Sequence, residues 1–259
     1  MAEPTLATHL RRRYYAVAFW TMLRKEINRF MRIWLQTILP PAITMALYFV
    51  IFGHLIGPRI GEMHGFSYMQ YIAPGLIMMS IITNAYSNVV SSLFGAKFQR
   101  FIEEILVAPI PELLMLAGYV AGGIARGVIV GLVVTATALC FTDLHVQSWT
   151  VTLAVVVLTA ALFSLAGLIN ALFAKKFDDI SIVPTFILTP LTYLGGVFYS
   201  IDMLPPFWQH ASLVNPILYG MLGVSDISIQ TAFSVLLLFT AALFLASLAL
   251  LKRGVGLRT

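Results

Sequence analysis

Long apolar runs free of charge constrain this chain more than any other feature. Residues 33–53, 71–93, 150–173, 182–199 and 229–251 contain no Asp, Glu, Lys or Arg, and 113–141 contains only Arg126. A helix needs about 20 mostly apolar residues to cross a bilayer. These six stretches are therefore expected to be membrane spans. The fifth is short, and the semi-apolar stretch 200–224 after it reads either as a re-entrant hairpin or as a loop. Composition agrees. Hydrophobic residues make up 59% of the 259 and charged ones 10%, against about 25% charged in soluble domains. The mean hydropathy is +0.90. A soluble core could not hide this much apolar surface, so lipid is expected to solvate much of it.

Charge sets the expected orientation. An even number of spans puts both termini on one side. On that side fall Arg11, Arg12, Arg13, Arg24, Lys25, Arg29, Arg32, Lys97, Arg100, Lys175, Lys176, Lys252, Arg253 and Arg258. The other side carries only Arg59. The positive-inside rule then predicts cytoplasmic termini. An odd number of spans would split the basic ends across the membrane. The net charge of +5 is read as topology and contact with anionic lipid, with no nucleic-acid partner. No secretory signal is apparent, because the apolar stretch after Arg11–Arg13 is broken by Arg24, Lys25 and Glu26.

Residues 14–34 predict an amphipathic helix on the cytoplasmic surface. Phe19, Leu23, Ile27, Phe30 and Trp34 share one face, and Thr21, Arg24, Lys25, Asn28 and Arg32 the other. It is either a plain anchor or a mechanical element. Pro40 and Pro41 fall inside the first span, and Pro184 and Pro190 inside the fifth. Such prolines free carbonyls and kink helices where protein or water can satisfy them again.

Few residues point to chemistry. No Walker A pattern, HExxH, GxSxG or Cys/His cluster is present, so no catalytic, cofactor or metal residues are assigned. The chain therefore cannot hold ATP by a P-loop of its own. The lone Cys140 excludes an internal disulfide and a Cys-based metal site. His54, His64, His145 and His210 are scattered on the outer side and read by default as solvated loop residues. The spans show no paired polar groups, which argues against an embedded transferase or protease. They show no Asp or Glu, which argues against an ion-coupled carrier.

Arg126 is the one deep charge. A central Arg costs about 2.5–3.5 kcal/mol on insertion scales, so it should face protein or a wet cavity. It is either a pathway or gating charge or a donor to carbonyls freed by a proline. Gly123, Gly127 and Gly131 recur at four-residue spacing beside it and predict close helix packing. The loop 94–112 is charged and helix-like up to Pro109. Its apolar stripe of Phe98, Phe101 (or Ile102) and Ile105 is flanked by Lys97, Arg100, Glu103 and Glu104. Such a helix either docks in a partner's groove or lies on headgroups.

Several segments together resemble the ABC-2 family of exporter permeases. They are Glu103–Pro109, the run from Pro190 to Tyr199, Met203–Trp208 and Asn215–Tyr219. Arg32–Trp34, Pro40–Pro41 and His64–Gln70 extend the likeness over almost the whole chain. The resemblance implies an all-α integral membrane fold with six transmembrane helices, an N-terminal interface helix and a short coupling helix at 95–108. It implies an external re-entrant hairpin before the last span. The organisation would be a segment 1–32 with the interface helix, a transmembrane domain 33–251 and a cytoplasmic tail 252–259. Further implications are a homodimer, two copies of an ABC ATPase subunit, and a bacterial inner-membrane location. The substrate would be drug-like, lipid-linked or a glycan, exported by alternating access. Lys97, Phe98, Arg100, Phe101, Glu103, Glu104, Ile105 and Pro109 would couple to the ATPase. Arg126, Asn84, Tyr86, Tyr193 and Tyr199 are the candidate pathway or gating residues. One departure is that Tyr219 runs directly into Gly220 and Gly223, where resembling relatives carry extra residues including an Arg.

Overall fold

The computed structural model describes residues 3–63, 65–144, 146–220 and 228–257. The helices are α1 (Glu3–Arg32), α2 (Trp34–Ile60), α3 (Tyr68–Phe98), α4 (Phe101–Val107) and α5 (Glu112–Leu139). They continue with α6 (Trp149–Phe173), α7 (Asp179–Leu194), α8 (Pro206–Leu213), α9 (Pro216–Gly220) and α10 (Ile229–Lys252). A small hairpin pairs β1 (Glu62–Met63) with β2 (Phe66–Ser67) before α3. Ser67 then caps α3, its Oγ accepting from Gln70 N while Gln70 Oε1 accepts from Ser67 N. This capping box gives the 64–70 motif a local purpose. His64 itself, His145 and the stretch 221–227 that follows the Tyr219–Gly220 junction lie outside the described residues.

Five of these helices, α2, α3, α5, α6 and α10, are long and apolar enough to cross a membrane. The fifth expected span corresponds to α7, which is shorter. At about 1.5 Å per residue it reaches roughly 24 Å, less than the ~30 Å hydrocarbon core. Its prolines matter in different ways. Pro190 has no N–H to give Phe186 O, and the chain ahead of it widens into a π turn over Pro184–Leu188, with Thr189 N bonded to Pro184 O. Gly195 and Gly196 then end the helix, Gly196 at a φ of +77°. In α2, by contrast, the helix runs unbroken through Pro40 and Pro41 and passes into a π segment at Phe49–Ile56.

α3 is the central helix. It packs along α5 and α6, while α2 and α10 lie against the outside of that trio. Leu35, Leu39, Ile43 and Leu47 of α2 and Leu237, Leu238 and Leu245 of α10 point outward. That is the pattern expected where lipid is the solvent. α3 is buried along most of its length, from Ile72 and Leu76 to Val89 and Leu93.

The N-terminal helix differs from expectation in one respect. Thr21, Arg24, Lys25, Asn28 and Arg32 are exposed and Phe19, Leu23, Ile27 and Phe30 are partly or fully buried, as expected, but the inward face also takes in Met22 and Glu26. Met22, Glu26 and Phe30 are buried, whereas Trp34 is 53% exposed. The cause lies in α5. A Cβ on Gly118 would come within 2.9 Å of Met22 Cβ, and one on Gly122 within 2.6 Å of Glu26 Cβ. These two glycines form a notch into which Met22 and Glu26 fit, so α1 is keyed to α5. The Gly123, Gly127 and Gly131 repeat points elsewhere, toward Val89, Ala85 and Ile81 of α3, with Ser164 of α6 also against Gly123.

Candidate functional site

A polar ladder runs along α3. Ser80, Asn84, Asn88 and Ser92 follow one another at four-residue spacing, and all four are buried. That spacing stacks them on one helical face. The charged residues of neighbouring helices meet this face. Arg126 of α5, half-buried, donates from Nη2 to Asn84 Oδ1 at 3.2 Å. Arg29 of α1 donates to both the side-chain and main-chain oxygens of Asn88, each at 2.8 Å. Glu26 pairs with Arg29 at 3.3 Å and accepts from Ser92 Oγ at 2.7 Å. Buried charge requires such partners, because desolvation is not otherwise offset.

The structure thus brings Arg126 and Asn84 together. The observed partner of Arg126 is an amide side chain, not a carbonyl freed by proline. Tyr86 is fully buried, and its hydroxyl accepts from Asn170 Nδ2 of α6 at 2.7 Å. The expectation that the spans hold no paired polar groups is therefore corrected: Arg126–Asn84 and Tyr86–Asn170 are such pairs. Tyr193 and Tyr199 sit together away from Arg126's ladder, Tyr199 Oη donating to Tyr193 O at 2.8 Å. Glu26, Arg29, Asn88 and Ser92 escaped the sequence reading. The four-residue recurrence in α3 was the available signal.

The Asn215–Tyr219 motif has a plain physical role. Asn215 Oδ1 accepts from Ile217 N at the start of α9, and its Nδ2 reaches back to Leu191 O. Tyr219 Oη donates to Leu213 O at 2.6 Å. The short helices after α7 are tied down by these bonds. Nearby, Val197 packs on Gly75 of α3, and Tyr68 Oη donates to Phe198 O.

At the other end of α3 the expected single helix 95–108 is two pieces. α3 runs through Phe98, the chain turns at Gln99 and Arg100, and α4 starts at Phe101. Arg100 holds a left-handed backbone with φ 63°. Such a conformation in a non-glycine residue breaks the helix. Lys97 has an internal job. Its Nζ donates to Ala171 O, Leu172 O and Ala174 O at 2.8, 2.8 and 3.0 Å. It caps the unsatisfied carbonyls at the end of α6. The tail folds onto the same point, with Gly256 against Leu172 and Leu257 buried.

Within α4, Ile102 is buried and Ile105 half-buried, so these two form the packed stripe. Glu103 and Glu104 are exposed. Phe98, Phe101 and Val107 point outward at 61%, 53% and 85% exposure. Pro109 is also exposed, between α4 and α5. Phe177 from the 174–178 loop stands edge-on to Phe94 and Phe98, with ring centroids 5.0 and 4.7 Å away. Asp179 orders that loop by accepting from Lys175 N and Lys176 N. Those two bonds hold its carboxyl below the usual range.

A bundle of apolar helices long enough to span a bilayer, packed around a buried polar ladder, has the make-up of a multi-pass membrane protein, and its class is a membrane transport protein by the family match. The family model for the ABC-2 type transporter matches residues 17–229. The chain belongs to that family, whose members are transport permeases and not catalysts. It is 62% identical to the inner membrane transport permease YadH of Escherichia coli K12 over 252 residues, covering 95% of this chain and 98% of that one. It is 25% identical to Nodulation protein J of Rhizobium leguminosarum bv. viciae over 215 residues, covering 80% and 83%. Against Nodulation protein J of Rhizobium meliloti strain 1021 the identity is 23% over 247 residues, covering 92% of each chain.

Proposed function

We propose that this chain is the permease subunit of an ATP-driven exporter in a bacterial inner membrane. It works as a homodimer with two copies of a separate ATPase subunit. It moves a drug-like, lipid-linked or glycan substrate out of the cytoplasm by alternating access. ATP and Mg are held by the partner. Both termini are cytoplasmic, and α7 with the residues after it completes a sixth passage and an external hairpin.

The observation that carries this reading is the exposed apolar surface of Phe98, Phe101 and Val107 beside Glu103 and Glu104. These side chains are too apolar to sit free in water, yet they stand at the end of α3 and on α4 among Lys97, Arg100, Glu103 and Glu104. A groove on the ATPase would cover them. Their mounting suits the task. Lys97 bolts the end of α3 to the end of α6, and Ile102 anchors α4. A push on α4 therefore reaches the two helices that pack along one another through the membrane. The test is co-purification in mild detergent with the ATPase encoded beside this chain. A stable complex is expected, and its absence under conditions that preserve the folded permease contradicts the reading.

A further inference from the structure

Arg126 has an incomplete set of partners. Its Nη2 reaches only a neutral amide, Asn84, and its Nε is buried without an acceptor. The ion pair found among the described residues is Glu26–Arg29, so the one nearby carboxylate is already engaged. The ladder carries two guanidinium charges against one carboxylate. Its other unmet polar atoms are the donors Arg29 Nε and Asn88 Nδ2, the latter in a fully buried side chain, and the Tyr119 hydroxyl. These donors call for a partner rich in acceptors.

Its depth says which kind. Arg126 lies midway along α5 and Asn84 midway along α3, and both helices are long enough to span. A lipid that merely coats the protein keeps its headgroup at the interface, about half a bilayer away. A small inorganic anion would have to reach this depth without any apolar part to favour entry. A molecule with an anionic head and an apolar tail meets both demands, with the tail among the spans and the head on the guanidinium fork.

We propose that Arg126 and Asn84 form a mid-membrane site for the phosphate head of an amphiphilic substrate. This rests on reading the two residues as part of the transport path. Arg126 supplies charge and a two-pronged donor, and Asn84 positions the guanidinium.

The probe is dodecyl phosphate, added to the full chain in dodecyl maltoside while thermal unfolding is followed. A saturable rise of about 5 °C or more is expected at high excess. Inorganic phosphate and dodecyltrimethylammonium should give none. Arg126→Gln should abolish the rise, and Arg126→Lys should keep part of it. Asn84→Asp guards against a misfolded variant. It places a carboxylate where Arg126 already points, at the loss of the Asn84 Nδ2 bond to Ser80 O, so the variant should still melt cooperatively but stop responding to dodecyl phosphate. The proposal is overturned if Asn84→Asp or Arg126→Gln responds like the parent. It is also overturned if inorganic phosphate protects equally well, or if dodecyl phosphate has no effect. ATPase co-purification is a separate readout, so failure here leaves the exporter reading standing.

Discussion

Ser92 Oγ donates to Glu26 Oε1 over 2.7 Å, which joins the N-terminal helix to the central helix of the bundle. Glu26 is 1% exposed and also pairs with Arg29. Glu26→Ala leaves both donors facing an empty acceptor position. Such a loss costs about 1–3 kcal/mol. A lower melting temperature in detergent is expected, with Glu26→Gln in between because its amide oxygen still accepts from Ser92. Unchanged melting of Glu26→Ala would mean that α1 contributes no stability through this bond.

The notch in α5 makes a second prediction. Gly122→Ala puts a Cβ against Glu26 Cβ, and neither backbone can move freely inside the bundle. Overpacking of this kind costs about 1–3 kcal/mol. Gly95 in α3 is the control, since a Cβ there meets nothing within 4 Å. Gly95→Ala should stabilise by about 0.5–1 kcal/mol through backbone entropy. Melting curves of the two variants should shift in opposite directions.

How much of this was legible in the sequence depends on what kind of signal each element sends. α2, α3, α5, α6 and α10 announce themselves by apolar length almost free of charge, because lipid imposes that length whatever packs inside. The extent of α7 was less clear, since its end is decided by Gly195–Gly196 and not by a loss of hydrophobicity. The apolar face of α1 is legible in Phe19, Leu23, Ile27 and Phe30, but its extension over Met22 and Glu26 is not. A charge on an amphipathic helix is ordinarily solvated, and nothing local marks Glu26 as buried. Its burial depends on Gly118 and Gly122, nearly a hundred residues later, together with Ser92. Lys97 also has a role that its local sequence does not show. Its local neighbours suggest a docking surface, but its partners are carbonyls of α6.

That capping role is open to mutation. Lys97→Met keeps the stem and removes the donor, so the last carbonyls of α6 lose their cation. Hydrogen bonds to charged groups contribute about 1.5–3 kcal/mol. Faster amide exchange is expected in the last turn of α6 and in 174–178. Protection equal to the parent would show that the bonds are dispensable.

Orientation is tested by cysteine labelling in a Cys140→Ser background, since Cys140 is exposed. Arg59→Cys and Asp143→Cys should react with an impermeant maleimide in intact cells. Arg100→Cys and Lys176→Cys should react only after the membrane is opened. All four positions are exposed on the protein, so burial does not confuse the result. External labelling at 100 would reverse the proposed topology.

The central claim is that α4 and the end of α3 receive the motion of an ATPase. Phe101→Ala combined with Glu104→Lys removes an exposed aromatic and reverses a neighbouring charge without touching a spanning segment. The direct measurement is ATP hydrolysis by the permease–ATPase complex in lipid nanodiscs, with subunit co-purification recorded on the same samples. The account predicts that the double variant inserts normally but either loses the ATPase subunit or hydrolyses ATP without response to substrate. Parent-level complex formation together with parent-level substrate stimulation would contradict it, and would leave this surface as a membrane anchor.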